Sequence, residues 1–357
     1  MNSSWLRGSL WERFTLRWTR SGPEQTAPVE ILREFREARK ILIIPNDRVG
    51  GLFIGAPFYK VIRHFYPQAQ IDLLVEERKV SIARKIPFID SILSAPQDMS
   101  VRSSAFKKIA GDLRLRSFDL CFCLGLDCSF KLTQLCGASG ARLRVGFQRR
   151  ALRPFNIEVV PEEGTAYEGE RYLSLLRIFG LSCNSEVRWT LAQDKVQKLS
   201  ARVFNEEFAG GMIVAIDLNS GESEGLGKRQ LEYIIGGLIE RGAQALLFFS
   251  LADRKQVIYL KECYGRQVIP FEQDDMVATA ALLGECAALI SCNTDLLHLG
   301  LALEIPVVGI FDDDPRRWIP PQRRFAHEIE VSKVRQASGA RIMEGLEIAL
   351  QGKKENA

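Results

Sequence analysis

The feature that most constrains the fold is an apolar strand, a polar turn, a helix and a second apolar strand in succession near residue 300. The first apolar run is 289–292, the turn is Asn293-Thr294, and the second run is 306–311. In an open α/β sheet such a turn lies at the carboxyl end of a strand, where ligands bind. The N–H groups at the start of the helix can bind an anion. The plainer interpretation is an ordinary helix with Thr294 or Asn293 as its N-cap.

Composition narrows the class of protein. The chain has 357 residues, enough for two domains, and its apolar fraction of 46% supports full cores. A formal net charge of +4 gives no reason to expect nucleic acid as a partner. The eight cysteines form no C-x-x-C pair, which favours buried free thiols over a metal site. The sequence shows neither a bilayer-spanning apolar run nor a signal-peptide pattern, so a cytoplasmic protein is expected.

Two series of apolar runs and helical patterns predict two doubly wound parallel sheets. The first begins with a strand at 40–45, a glycine turn at 46–51 and a helix at about 52–65. Further strands are predicted at 71–75, 91–94, 120–124, 143–147, 212–218, 245–250 and 267–271. The predicted divisions are a basic aromatic extension at 1–38, a first domain at 39–190, a second domain at 191–330 and a C-terminal helix within 331–357. A return of that helix to the first domain is one option.

The turn near residue 300 resembles the nucleotide-sugar motif of glycosyltransferase family 9, the ADP-heptose:lipopolysaccharide heptosyltransferases. That motif reads roughly D-[ST]-G-x-x-H-L-A-A-A-L-G-x-P, followed by a strand ending F-G-x-T-x-P and a later W-x-P. The residues in register are Thr294, His298, Leu299, Ala302, Leu303, Pro306, Phe311, Pro315, Trp318 and Pro320. Other matches within 40–322 are at 49–50, 57, 66–75, 118–120, 139–147 and 170–181.

The resemblance implies a GT-B architecture, in which two Rossmann-like doubly wound domains face each other across a cleft. It implies transfer of a heptose-like sugar from a nucleotide-diphosphate donor to lipopolysaccharide or another lipid-linked or surface glycan. The implied donor is ADP-linked. No metal or other cofactor is implied, since helix N-termini, a lysine and a histidine can stabilise the diphosphate leaving group.

The family motifs imply five donor-binding residues. They are Lys228, Asp253, Asn293, Thr294 and His298. Lys228 is implied to meet the diphosphate, for which a lysine is chemically suited, although Gln230-Leu231 replace the family's Trp-Pro after it. Asp253 is implied to accept hydrogen bonds from the ribose hydroxyls. The plainer alternatives are a solvated lysine at a helix start and a histidine that satisfies a backbone carbonyl.

Three departures from the family pattern affect the predicted chemistry. Asn293 and Asp295 replace the family's Asp and Gly where the diphosphate is held. The family's Asp after the turn glycine, implied to be the general base, is replaced by Gly51, which cannot accept a proton. Asp47 in the same turn and Asp127 after the fourth strand are the carboxylates that could substitute. Asp47 could equally be a turn residue that caps a helix.

Three functions therefore compete on the sequence. The first is an active glycosyltransferase. The second is a catalytically impaired family member that serves as a nucleotide-sugar-binding or assembly protein, and activity created by Gly51→Asp would favour it. The third, a Rossmann oxidoreductase, lacks the G-x-G-x-x-G turn with a later acidic residue.

The N-terminal extension predicts a membrane-surface helix. Residues 1–20 carry three of the five tryptophans, and arginines lie beside an apolar face formed by Leu10, Trp11, Phe14 and Trp18. This arrangement suits an anionic membrane surface, which would place the protein peripherally on the inner face of the cytoplasmic membrane. The alternatives are a helix packed on the body of the protein and a partly disordered tail.

Overall fold

The chain divides into two compact units. They comprise residues 1–165 with 169–185, and 166–168 with 186–357. The computed structural model describes residues 30–47, 50–86, 88–97, 99–126, 129–148, 154–160, 164, 167–181, 211–218, 225–273, 275–321, 323 and 325–354. Residues 1–20 and Asp127 lie outside the described residues.

The first unit is built on a six-stranded parallel sheet. Its strands are β1 (Lys40–Ile44), β2 (Gln70–Glu76), β3 (Ser91–Ala95), β4 (Leu120–Cys123), β5 (Leu143–Phe147) and β6 (Ile157–Val159). The spatial order is β3-β2-β1-β4-β5-β6. Both faces of the sheet are covered, which explains why β1 is continuously apolar after its first residue. In this order the carboxyl end of β1 lies at the point where the strand order reverses, between β1 and β4, and ligands bind at such points.

The second unit repeats this topology. Its strands are β7 (Met212–Asp217), β8 (Ala243–Phe249), β9 (Val268–Glu272), β10 (Ala288–Cys292), β11 (Val307–Phe311) and β12 (Ala326–Glu330). The order is β12-β11-β10-β7-β8-β9, with all neighbours parallel. Strand β10 lies between β7 and β11, so the residues that end these three strands share one edge of the sheet.

Helices connect the strands in both halves of the chain. In the N-terminal half they are α1 (Ile31–Glu37), α2 (Gly51–Ile54), α3 (Ala56–Phe65), α4 (Val80–Ala83), α5 (Ser104–Leu115), α6 (Phe130–Ala138) and α7 (Glu168–Arg177). In the C-terminal half they are α8 (Lys228–Glu240), α9 (Arg254–Tyr264), α10 (Met276–Gly284), α11 (Asp295–Ala302) and α12 (Gly339–Lys354).

Within the described residues, the predicted elements agree with the structure except at three places. The helix predicted at about 52–65 is two helices, α2 and α3, because Gly55 ends the first and Pro57 lies in the first turn of the second. Strands β6 and β12 were not predicted. Each is a short or half-exposed edge strand, so its apolar pattern is weak.

Helix α12 packs into the core of the second unit. Ile342, Met343 and Leu346 join the cluster of buried side chains formed by that sheet and helix α8. The structure therefore places residues 339–354, for which a return to the first domain was one option, on the second sheet. Among the described residues, no helix combines the length and apolarity needed to cross a membrane.

Candidate functional site

The predicted turn after β10 is a capped helix start. Strand β10 ends at Cys292, and α11 begins at Asp295. Thr294 is the N-cap, in extended backbone conformation, and its Oγ1 accepts a hydrogen bond from the N–H of Leu297 at 3.4 Å. A helix start of this kind can bind an anion through its first-turn N–H groups.

A buried carboxylate fixes this turn from the neighbouring strand. Asp217 ends β7 and is fully buried. Its Oδ2 accepts a hydrogen bond from Thr294 Oγ1 at 2.5 Å and lies 3.0 Å from the hydroxyl of Ser291. The two hydroxyls are themselves 3.1 Å apart. A buried charge requires such partners, and here they lock the side chain that caps α11.

Sequence reasoning missed Asp217 and Ser291. The available signal was a charged residue at the end of an otherwise apolar strand, together with the rule that neighbouring strands end at one edge. The same surroundings affect Cys292, which is buried. Burial first, and then the charges of Asp217 and Asp312, raise the pKa of the Cys292 thiol to about 12. Cys292 is therefore protonated at neutral pH and is not a nucleophile in this turn.

The histidine of the motif is held by the asparagine of the motif. His298 is 3% exposed, and its Nε2 lies 3.0 Å from Asn293 Oδ1. An amide oxygen only accepts hydrogen bonds, so Nε2 carries the proton in this contact. The ring also meets Trp318 edge to face, with centroids 5.9 Å apart. Asn293, a departure from the family pattern, thus contributes by orienting His298.

Trp318 links the motif to the loop after β11. Its indole Nε1 donates to Asp313 Oδ2 at 2.7 Å, and the Arg317 guanidinium carbon lies 4.6 Å from its ring centroid. Partial burial raises the pKa of the Asp313 carboxyl, and this hydrogen bond opposes the rise. The W-x-P match on the sequence therefore marks a residue that packs against His298.

Lys228 and Asp253 lie in segments that follow β7 and β8 in the same sheet. Lys228 is the first residue of α8, and its Nζ lies 3.6 Å from the centroid of the Tyr259 ring. It is also 3.9 Å from a carboxylate oxygen of Glu232, to which Tyr259 donates at 2.9 Å. The lysine is therefore held by an aromatic ring and a carboxylate, a more specific environment than solvent alone.

Asp253 has a local structural partner. Its Oδ2 accepts from the hydroxyl of Ser250 at 2.7 Å and from the backbone N–H of Ser250 at 3.3 Å. This closes the single turn Leu251–Asp253 that follows β8. Lys228, Asp253 and Thr294 thus follow β7, β8 and β10, three neighbouring strands whose carboxyl ends share one edge of the sheet.

Asp47 lies at the carboxyl edge of the first sheet. It follows β1 and is half-buried, and its Oδ1 accepts from the backbone N–H of Ser129 at 3.0 Å. Ser129 is the N-cap of α6, so Asp47 satisfies a helix start across the sheet edge rather than its own turn. The other oxygen, Oδ2, accepts no hydrogen bond from the described residues.

A small pocket lies beside Asp47. Its lining is mostly apolar, with Asn46, Asp47, Glu76, Lys79 and Lys131 as the polar members. The apolar members are Pro45, Leu52, Leu74, Val75, Ala95, Pro96, Met99 and Leu132. Lys79 is buried, and Lys131 Nζ donates to the carbonyl of Gln97 at 2.5 Å. Two lysines and two carboxylates therefore line this pocket, and their formal charges cancel.

Position 51 has no room for a side chain. A Cβ built on Gly51 would lie 2.1 Å from the backbone carbonyl oxygen of Asn46 and 2.8 Å from its carbonyl carbon. The preceding Gly50 has φ of +70°, which favours glycine as well. A Gly51→Asp substitution would therefore require the backbone of this turn to move before the new side chain could fit.

The described residues contain no group of three or more His, Cys, Asp or Glu side chains placed to hold a metal ion. Six described cysteines are free thiols, five of them buried and Cys263 exposed.

Comparison with known proteins gives consistent results. No family model matches the chain. Lipopolysaccharide heptosyltransferase 2 of Escherichia coli K12 is 22% identical over 324 residues, which cover 84% of this chain and 92% of the relative. A putative glycosyltransferase of Haemophilus influenzae is 24% identical over 303 residues, covering 79% of this chain and 86% of the relative.

Solved structures extend the likeness to the fold. A glycosyltransferase family 9 structure from Veillonella parvula superposes with a TM-score of 0.76 at 15% identity, covering 88% of this chain and 97% of that one. The ADP-heptose lipopolysaccharide heptosyltransferase II of E. coli gives 0.74 at 18% identity, covering 89% and 100%. The resemblance to glycosyltransferase family 9 is thereby confirmed, and with it the predicted α/β fold of a GT-B glycosyltransferase.

Proposed function

We propose that the protein transfers a heptose-like sugar from an ADP-linked donor to an acceptor, which is lipopolysaccharide or another lipid-linked or surface glycan. The observation that carries the proposal is the locked turn after β10, in which Asp217 holds Thr294 and Asn293 holds His298 at a helix start. A solved E. coli heptosyltransferase of similar fold is described with ADP-2-deoxy-2-fluoro heptose, which supports the choice of donor.

The donor diphosphate is assigned to the N-terminus of α11. Its N–H groups and helix dipole favour negative charge, which grows on the diphosphate as the sugar–oxygen bond breaks. Asp295 in the first turn opposes this because a carboxylate repels phosphate, so weaker diphosphate binding is expected than in a protein with glycine there. Asp253 is assigned to the ribose hydroxyls.

Lys228 is assigned to the donor diphosphate. In the structure its ammonium lies over Tyr259, a contact of about 0.5–1 kcal/mol at an exposed site. A charge-assisted hydrogen bond to phosphate is stronger, at about 1.5–3 kcal/mol. Donor binding is therefore expected to draw Lys228 away from the ring.

Asp47 is assigned as the base. In the reaction the acceptor hydroxyl oxygen bonds to the anomeric carbon, the bond from that carbon to the diphosphate oxygen breaks, and the hydroxyl proton passes to a carboxylate. Asp47 Oδ1 is committed to Ser129, whereas Oδ2 accepts no hydrogen bond from the described residues. The acceptor is assigned to the surface beside Asp47, where Glu76, Lys79 and Lys131 also lie. Asp127 is the alternative base.

The second candidate function is a nucleotide-sugar-binding or assembly protein without turnover. A specific observation favours it, namely that the position of the family's base is a glycine packed against the backbone of Asn46. In that case the locked turn of the second unit binds ADP-sugars, and no carboxylate activates an acceptor.

One experiment separates the two functions. The full-length protein is incubated with ADP-heptose, with and without a lipopolysaccharide acceptor, and ADP release is followed. A working transferase releases ADP faster with acceptor, and Asp47→Asn removes that stimulation. ADP-sugar binding without ADP release under either condition supports the second function. Absence of ADP-sugar binding contradicts both.

The cellular location is also a proposal. A lipid-linked acceptor would place the protein on the inner face of the cytoplasmic membrane, and residues 1–20 supply basic and aromatic side chains suited to an anionic bilayer. Vesicle flotation of the full-length protein, and of a variant with Arg13 and Arg17 changed to Gln, tests this. Equal flotation of both proteins would contradict a role for the basic side chains.

A further inference from the structure

Glu168 is a buried carboxylate that belongs to the second unit, as do residues 166 and 167 before it. It is the first residue of helix α7, and its side chain is 0% exposed. Its Oε2 lies 3.4 Å from Nε of Arg317, in the loop after β11, although 149 positions separate the two residues. Because a buried charge is costly without a partner, this ion pair fixes both side chains.

The arginine of this ion pair lies against a tryptophan. The guanidinium carbon of Arg317 is 4.6 Å from the centroid of the Trp318 ring. The Arg317 side chain is 24% exposed, so a guanidinium without the Glu168 carboxylate could turn toward water. The ion pair therefore keeps the guanidinium over the indole.

Trp318 is held from two directions and in turn contacts His298. Asp313 accepts the hydrogen bond of the indole Nε1 at 2.7 Å, and Arg317 covers the ring face. The held indole meets the His298 ring edge to face, with centroids 5.9 Å apart. His298 is buried and has its Nε2 beside Asn293, so a change in the tilt of Trp318 must change the surroundings of the His298 ring.

We propose that Glu168 is a positioning residue for the donor site, which acts through Arg317 and Trp318 on the orientation of the His298 ring. The contacts run without interruption from the buried carboxylate to the imidazole. For the binding of ADP the inference rests on the proposed function. For the orientation of the ring it rests on these contacts alone.

Another carboxylate, arginine and aromatic ring are arranged in the same way at a different place in the second unit. Arg323 Nη1 lies 3.0 Å from Glu304 Oε1, and the Arg323 guanidinium carbon lies 5.4 Å from the centroid of the Phe325 ring. The Phe325 carbonyl accepts the N–H of Val307, the first residue of β11. This arrangement therefore lies at the amino edge of the sheet, opposite the edge at which Thr294 caps α11, and Glu304 provides a matched control.

The first test records the histidine ring resonances of the full-length protein labelled with ¹⁵N-histidine. The chain has three histidines, His64, His298 and His327, so single His→Gln variants assign each resonance. Glu168→Gln keeps the size of the side chain and removes its charge. It should shift the His298 resonances and leave those of the other two histidines unchanged. Glu304→Gln, the control, should leave the His298 resonances unchanged.

Arg317→Lys is the second variant for this test. It keeps a positive charge beside Glu168 and loses the planar guanidinium over Trp318. It should keep a thermal midpoint close to that of the unchanged protein and should also shift the His298 resonances. Because the buried carboxylate retains a partner in this variant, the test can be made even if Glu168→Gln does not fold.

The second test measures ADP affinity by isothermal titration. Glu168→Gln should weaken ADP binding about threefold to thirtyfold, the range for residues that act on a site through others. In a His298→Ala background the same substitution should have no further effect, because the residue through which it acts is absent. In a Lys228→Ala background it should keep its full effect.

Three results would overturn the proposal. Unchanged His298 resonances in either folded variant would mean that the ion pair does not act on the ring. Similar shifts of all three histidines would assign Glu168 to the stability of the protein as a whole. Equal weakening of ADP binding by Glu168→Gln with and without His298 would mean that Glu168 acts by another route. If the unchanged protein does not bind ADP, the proposed function is contradicted, and the histidine resonances alone decide the positioning role.

Discussion

The two sheets have the same strand topology, but the turns at their carboxyl edges are held in different ways. In the second unit, side chains from two strands hold the turn, since Asp217 accepts hydrogen bonds from Thr294 and lies beside Ser291. In the first unit, backbone holds it, since Gly51 packs on the carbonyl of Asn46. The arrangement in the second unit leaves N–H groups and side chains at the turn to bind a ligand. In the first unit, position 51 carries no side chain, so any chemistry at that turn must come from a flanking residue such as Asp47.

The largest effect is expected from Gly51→Asp. The new Cβ would overlap the Asn46 carbonyl, and overpacking against backbone should lower the free energy of unfolding by about 3 kcal/mol or more. Chemical denaturation measures this. Gly111→Asp is the matched control, because a Cβ there meets nothing within 4 Å. A folded Gly51→Asp protein of unchanged stability would show that the turn is not held by its backbone.

Asp47→Asn should lower turnover about a hundredfold, because the amide cannot accept the acceptor proton. Its carbonyl oxygen can still accept the N–H of Ser129, so stability and ADP affinity should change little. Asp47→Ala should be as inactive and also less stable by about 1 kcal/mol, since the helix start loses its acceptor. Full activity in Asp47→Asn would exclude Asp47 as the base.

Lys228→Ala should weaken ADP binding by about 1.5–3 kcal/mol, the range for a charge-assisted hydrogen bond. Isothermal titration measures it. Tyr259→Leu is the informative partner variant, because it removes the ring that holds the lysine in the structure. It should leave ADP affinity unchanged or slightly higher. Unchanged affinity in Lys228→Ala would show that the lysine contacts Tyr259 and Glu232 but does not bind ADP.

Thr294→Val should lower the free energy of unfolding by about 1–2 kcal/mol, because it removes the helix cap and one hydrogen bond to a buried carboxylate. Thr294→Ser retains the hydroxyl and should retain most of the stability. If the two variants are equally stable, the Asp217 contact does not lock the turn.

The fold and the turn after β10 could be predicted from the sequence because both depend on local patterns of residues. Alternating apolar runs predicted the sheets, and the residues around Thr294 predicted a helix start after a strand. The contact of Thr294 with Asp217 was not accessible, because 77 positions separate the two residues and only strand order brings them together. The crowding at Gly51 depends on where the Asn46 carbonyl points, and the position of Lys228 depends on Tyr259 on another helix.

Calorimetric titration of the full-length protein with ADP is the most direct test of the central claim. That claim is that the ligand binds at the carboxyl edge of the second unit's sheet, whereas the catalytic residue lies in the first unit. The expected result is one binding event per chain that is weakened in Lys228→Ala and unchanged in Asp47→Asn. Absence of ADP binding, or equal weakening by Asp47→Asn, would contradict that claim.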